Sequence, residues 1–405
     1  MQRQVTSLFD GGPARLLPRI RLVTDLSAEA ALAEVPPAIP PLRRRLELMR
    51  LIGALLDAQP DLAPRAAMFD LADSLAALMD EMQGEGVSPA RIEELDVTDE
   101  SGHWQRRLEF VRLVERFVHD GSDEPDPEAR QRIAVDRLIA AWQDAPPRHP
   151  VIIAGSTGSR GTTARLMCAV AGLPAGAVIL PGLDFDMPGT VWDALNDALT
   201  GEDHPQYRFA RLLRSLDLAP DAVRSWHADV TPPSPPRNRL LSLSLRPAPV
   251  TDQWMTEGTR LTDLTAATAG MTLIAAPSVR SEALAIALVL RDSVARNKPA
   301  ALITPERVLA RQETSALDRW GIVPDDSAGR PLQLTAPGRF LRHVAALFER
   351  RVTADSLLTL LKHPLTNTGS AERGPHLLHT RELELSLRRH GPPSPNAAAL
   401  HRLSL

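Results

Sequence analysis

The chain has 405 residues, 43% hydrophobic and 24% charged, which excludes wholesale disorder and is length enough for two or three cores. A formal net charge of −4 excludes a strongly basic nucleic-acid coat protein, though not a local positive groove. The single cysteine, Cys168, excludes an intramolecular disulfide and any unaided thiolate or iron–sulphur cage, and implies a cytoplasmic location.

The opening MQRQVTSLFDGGPARLLPR has no apolar run after its charges, and no stretch approaches the roughly 20 apolar residues of a membrane helix. No membrane partner is expected. LLPRIRLVTDL at 16–26 reads as a strand entering a turn at Asp25. Apolar stripes at helical spacing follow: Leu42, Leu46, Met49 and Ile52, then Met68, Leu71, Leu75, Leu78 and Met82, then Trp104, Leu108, Val111, Val114 and Val118. Asp126-Pro127-Glu128 predicts a fourth helix start, with Asp as N-cap and Pro at the first helical position, running through Ile133, Leu138 and Trp142. Residues 40–145 therefore read as an all-helical bundle with acidic loops.

At Pro150 the period changes. VIIAG is a short apolar run of buried-strand type, TTARLMCAVAGL is helical and AVILPGLDFD reads as a second buried strand. Helical VWDALNDAL and YRFARLLRSL precede the Pro-rich stretch 231–249, which reads either as an exposed polyproline II connector or as an ordered loop. TLIAAPS and PAALITP predict two further strands, alternating with helices over SEALAIALVLRDSVARN and ERVLARQETSALDRWG, and GIVPDDSAG a turn with a short strand. The last 70 residues read as helical, and the chain is expected to stop in mid-domain.

Of the 46 basic residues only Lys298 and Lys362 are lysines, and neither follows a glycine loop, so no intact P-loop is present. The segment with most claim to chemistry is AGSTGSRGTT, where Gly155, Ser156, Thr157, Gly158 and Ser159 form a glycine- and hydroxyl-rich strand-to-helix turn. Such a turn aims backbone N–H groups and a helix N-terminus at one spot, which suits a phosphate, yet turns of this kind also occur in α/β layers without binding anything. Asp184 and Asp186 lie on one side of an extended chain, as a Mg²⁺ pair or as solvated turn acids; Glu202, Asp203, His204 and Gln206 read as capping or packing residues rather than a metal site. No GxSxG elbow is present, and Cys168 sits mid-helix in apolar surroundings. Arginines cluster at Arg43–Arg45, at Arg339, Arg342, His343, Arg350 and Arg351, and at Arg388–Arg389, as solvated helix faces or, for the second cluster, as phosphate contacts.

The motifs AGSTGS, AVILPGLDFDMPGTVW, EDHPQ, the long run EALAIALVL to IVPDDSAG and LLTLLKHPL, in that order, resemble the AddB family of alphaproteobacterial double-strand break repair proteins, subunits of the AddAB helicase-nuclease. The resemblance covers essentially the whole chain. It implies an α/β fold of two RecA-like, superfamily 1 helicase-like parallel-sheet layers with inserted all-helical domains. The implied division is a remnant of the first α/β domain at 1–30, a 1B-like helical insertion at 31–148, the rest of the first α/β domain at 149–230, a Pro-rich connector at 231–250, a second α/β domain at 251–335 and a truncated 2B-like helical segment at 336–405.

In that reading the sequence resembles a fragment of the family's front part, without intact Walker A, Walker B or nuclease motifs. VIIAGSTG stands where a motor carries its Asp-Glu, with Ala154 and Gly155 in place of the acids, and no catalytic residue is expected. Residues 155–159 become a degenerate nucleotide loop, Arg307 or Arg311 a phosphate-sensing relic, and Arg339, Arg342 and His343 DNA contacts. ATP, Mg²⁺ and an iron–sulphur cluster belong to the full family complex and not to this chain. The implied partners are an AddA-like subunit and single-stranded or tailed duplex DNA, with the chain holding or scanning DNA. The alternative is a module that docks the partner without touching DNA, which the acidic loops and only 15 aromatic residues favour.

Overall fold

A computed structural model of the protein describes residues 19–23, 35–88, 91, 124–226, 232–349, 351–369 and 373–403. It divides into two compact units, 1–271 and 272–405. The stripe expected at Trp104–Val118 and Arg350 lie outside the described residues, and residues 19–23 form no strand.

The first unit begins with three long helices, α1 (Pro41–Ala58), α2 (Met68–Glu85) and α3 (Pro127–Asp144). Leu48, Ile52 and Leu56 of α1 bury against Ala72, Leu75 and Met79 of α2. The buried face of α1 is thus rotated from the stripe read in the sequence, and Leu42 and Leu46 are exposed. The displacement has an electrostatic cause: Arg44, on the inner face, donates to Asp80 Oδ1 at 2.8 Å and to the Ala76 carbonyl at 3.3 Å, and its Nε lies 2.7 Å from Asp126 Oδ1. A guanidinium hydrogen-bonded twice to α2 and ion-paired to the residue before α3 favours burial of the face that carries it. Asp126 and Pro127 start α3 as expected, but the Asp126 carboxylate faces Arg44 and accepts from Gln83 Nε2 at 2.9 Å, with no side-chain cap bond to its own helix.

Next come β1 (Val151–Ala154), α4 (Gly161–Ala171) and β2 (Gly176–Ile179), with β1 and β2 parallel and Val151 opposite Gly176. Ile153 joins Val135 and Leu138 of α3 and Leu166, Met167 and Val170 of α4 in one core. A second cluster unites α5 (Gly189–Ala194) with α6 (Tyr207–Ser215) through Val191, Trp192, Leu195 and Phe209.

The Pro-rich stretch is a packed element and not polyproline II: α7 (Pro235–Ser244) carries its prolines in the first turn, where a missing N–H costs nothing. Leu243 of α7 is buried, and its carbonyl accepts from Trp254 Nε1 at 2.9 Å, on the short helix α8 (Gln253–Glu257). Arg237 ties α7 to the end of α9 (Leu264–Thr268) through the Ala267 carbonyl at 2.9 Å.

The second unit packs α10 (Val279–Ala295) against α11 (Arg307–Asp318), with Ala283, Ala287, Leu309 and Leu317 buried. Four more helices follow, α12 (Ala336–Glu349), α13 (Ala354–Lys362), α14 (Arg373–His390) and α15 (Ala397–Leu403). A capping box of Thr353 and Ser356 starts α13, and Lys362 at its end pairs with Glu384 of α14.

These observations correct the expectation of two RecA-like parallel-sheet layers. Among the described residues the only sheet is the β1–β2 pair, in an otherwise helical protein. TLIAAPS, PAALITP and GIVPDDSAG form no ladder. Proline follows the apolar run of each of the first two stretches, at Pro277 and Pro305, and ends the run of donors there because it has no N–H to give a ladder. A short apolar run before a proline has the same pattern whether or not it finds a neighbouring strand.

Candidate functional site

The strand–turn–helix geometry expected for AGSTGSRGTT is present. Gly155 leaves β1 at φ +77° and Gly158 turns at φ +67°, the left-handed region that favours glycine. The Gly155 N–H donates to the Ile179 carbonyl at 3.3 Å and the Gly158 N–H to Ser156 Oγ at 3.2 Å, so the loop is held from both sides before α4 begins at Gly161.

What occupies the helix N-terminus is the protein's own carboxylate. The Gly161 N–H donates to Glu85 Oε1 at 2.8 Å, Thr162 Oγ1 donates to the Gly84 carbonyl at 3.1 Å, and Arg160 pairs with Glu128. A Cβ at Gly161 would lie 2.8 Å from Glu85 Oε2 and 2.9 Å from the Gly84 carbonyl oxygen. The end of α2 therefore sits directly on the start of α4, pairing a carboxylate and a helix C-terminus with the positive end of the next helix. Periodicity offers no signal for Glu85, because its partner lies 76 residues away.

A groove of about 490 Å³ runs past this contact and past Ser159. Five acidic side chains, Glu85, Glu128 and Glu202 among them, face three arginines, Arg160, Arg208 and Arg211. Arg160 is paired with Glu128, Arg208 lies 3.5 Å from Glu202, and Arg211 lies over the Tyr207 ring at 5.9 Å. Five acids against three arginines leave the groove net negative, which disfavours a phosphate group.

Asp184 and Asp186 build a turn instead of a metal pair. The Asp186 N–H donates to Asp184 Oδ1 at 2.9 Å, while Gln206 clamps the same turn by accepting from the Asp184 N–H at 3.1 Å and donating to the Gly182 carbonyl at 2.9 Å. His204 Nδ1 accepts from the Gln206 N–H at 3.1 Å, and burial pushes its pKa down. Burial also pushes the Cys168 thiol up, away from the reactive thiolate.

Arg307 and Arg311 lie on α11, in the second unit, whereas the glycine turn belongs to the first. Arg307 faces Asp326 at 3.4 Å, and Arg311 Nε donates to the Arg307 carbonyl at 3.2 Å. Arg339 and Arg342 stand exposed one turn apart on α12, with no ion pair among the described residues, and the His343 ring lies 6.2 Å from that of His363. The other clusters are engaged internally: Arg43 with Glu47 and Glu124, Arg45 with Asp73, Arg388 with Glu384.

No helix among the described residues is long and apolar enough to cross a membrane. None of them forms a group of three or more His, Cys, Asp or Glu placed to hold a metal ion. The RecA-like sheet is also absent among the described residues, so the helicase-like, nuclease-subunit and AddAB-type expectations find no support in the structure. No protein-family model matches the sequence, and no curated protein matches it.

Proposed function

We propose that the chain is a docking module that receives a partner protein. The observation that carries this reading is a pair of apolar segments in the second unit that belong to no helix or strand. Leu273 is 95% and Ile303 94% exposed, and residues 272–276 and 300–303 make no backbone hydrogen bond among the described residues. Backbone N–H and C=O groups left unbonded beside bare aliphatic side chains are suited to pairing with an extended segment of a partner. The filled glycine turn and its acidic groove support the same reading, since they offer no place for a nucleotide phosphate.

Hydrogen–deuterium exchange of the full chain, alone and with a co-expressed candidate partner subunit, tests it. Slowed exchange over 272–276 and 300–304 in the complex, lost with Leu273→Lys and Ile303→Lys, is the expected result. Unchanged fast exchange there in a complex that does form would refute it. A second reading, DNA holding, draws on Arg339 and Arg342, two exposed guanidiniums on one face of α12. Salt-sensitive binding of the isolated chain to a tailed duplex, lost with Arg339→Gln and Arg342→Gln, would favour it over docking.

A further inference from the structure

A cavity of about 320 Å³ in the first unit lies between α7, the turn after β2 and the segment leading into α9. It is separate from the glycine turn and plays no part in the docking reading. Three arginines line it, and they are not equivalent. The Arg246 side chain is only 2% exposed; it donates to the Ser242 carbonyl at 3.0 Å and Oγ at 3.1 Å and pairs with Glu257 at 3.3 Å, while its buried Nε–H has no acceptor. Arg239 and Arg260, at the rim, make no hydrogen bond or ion pair among the described residues.

None of the three acids lining the cavity forms an ion pair with those two guanidiniums among the described residues. Glu257 is taken by Arg246, and Asp263 caps α9 by accepting from the Ala266 N–H at 3.2 Å. The Asp186 pKa is raised by burial and then by the Asp184 charge, with Arg239 opposing, and Asp186 makes no ion pair with either rim arginine. Leu240, Leu243 and Leu261 supply an apolar wall. An apolar surface with a few convergent charged groups, one of them buried and incompletely bonded, is the usual make-up of a small-molecule site.

We propose that this cavity binds a small organic anion, a carboxylate or phosphate carried on an apolar body, with the oxyanion between Arg239 and Arg260 and the body against Leu240, Leu243 and Leu261. Guanidiniums recognise either oxyanion through paired N–H donors, so the two chemistries are distinguished by probe.

The experiment is isothermal titration of the full chain with benzoate, phenyl phosphate and uncharged benzyl alcohol. Saturable binding of at least one anion, with none for benzyl alcohol, is expected, and the preferred anion identifies the oxyanion. Arg239→Gln with Arg260→Gln, both at exposed positions, should weaken that binding about tenfold or more, as loss of a charge-assisted hydrogen bond does, without lowering the melting midpoint of the ligand-free chain. Absence of saturable binding by both anions, or equal affinity in the double variant, would overturn the assignment.

Discussion

The Gly161 amide donates to the Glu85 carboxylate at 2.8 Å, so the first amide of α4 is bonded to the last residue of α2. This contact converts a turn that reads as a phosphate cradle into a helix–helix joint. Mg-ATP should therefore give no measurable heat with the purified chain by isothermal titration. Micromolar affinity would show that Glu85 yields its place to a phosphate. Gly161→Ala should lower stability by about 1–3 kcal/mol: the Glu85 carboxylate end can swing away from the new methyl, but the Gly84 carbonyl oxygen at 2.9 Å and Glu85 Cα at 3.0 Å are backbone atoms that cannot. Urea midpoints of variant and parent measure it.

Gly158→Val probes the turn from its other end. At φ +67°, with a Cβ position 3.3 Å from Met167 Sδ, a β-branched residue is strained in its backbone and crowded in the core. The expected cost is about 1–3 kcal/mol. A tailed-duplex binding curve normalised to folded protein should not change, and a loss of DNA binding at unchanged stability would make the turn a working site.

Local signals and long-range ones separate cleanly in this chain. The order β1–α4–β2 is legible because each element is signed by its neighbours: an apolar run, a glycine turn, an amphipathic helix and a second run within 29 residues. The strands are not the buried ones expected, however: only Ile153 of β1 is buried, and β2 ends at Ile179 instead of running over AVILPGLDFD. The start of α3 is legible too, from Asp126 and Pro127. In the second unit the helices follow their periodicity, whereas TLIAA and AALIT have strand composition without pairing, because pairing depends on a neighbouring strand that no local pattern supplies. The content of the glycine turn was hidden for a similar reason, since neither the turn nor Glu85 announces the other. Arg43-Arg44-Arg45 reads as one basic cluster, yet Arg44 alone points inward, a distinction made by the acids of α2 and the start of α3.

Arg44 gives the largest expected stability effect. Its side chain is 7% exposed and that of Asp126 6%, and removing one member of a buried pair leaves the other charged and unpaired. Arg44→Met should cost about 3–5 kcal/mol. Arg44→Met combined with Asp126→Asn should recover part of that loss. Chemical denaturation of the two single variants and the double variant forms the cycle, and additive losses would show that the two residues act independently.

The last prediction concerns two matching turns. His204-Pro205-Gln206 and His363-Pro364-Leu365 share one arrangement, in which the ring Nδ1 accepts the backbone N–H two residues on, at 3.1 Å in the first and 3.2 Å in the second. Proline between them has no N–H to offer, so the ring serves the next amide. An accepting Nδ1 carries no proton, and the imidazole must stay neutral for the bond to exist. Burial pushes both pKa values below 6.5, helped at His363 by the charges of His343, Arg339 and Arg373. With the folded-state pKa below the unfolded one, the unfolded chain binds more protons in between. The contribution to stability is therefore complete above the unfolded value and lost as pH falls from about 6.5 toward the folded values. The melting midpoint should drop on acidification through this window. Asp186 and Glu313, whose pKa values are raised by burial, act with the opposite sign, so the readout is the difference between parent and variant. His204→Asn and His363→Asn keep an acceptor for the same amide without a titrating ring, and should flatten the decline while leaving the midpoint near pH 8 almost unchanged. Should the decline persist undiminished in the double variant, the two turns are not its source.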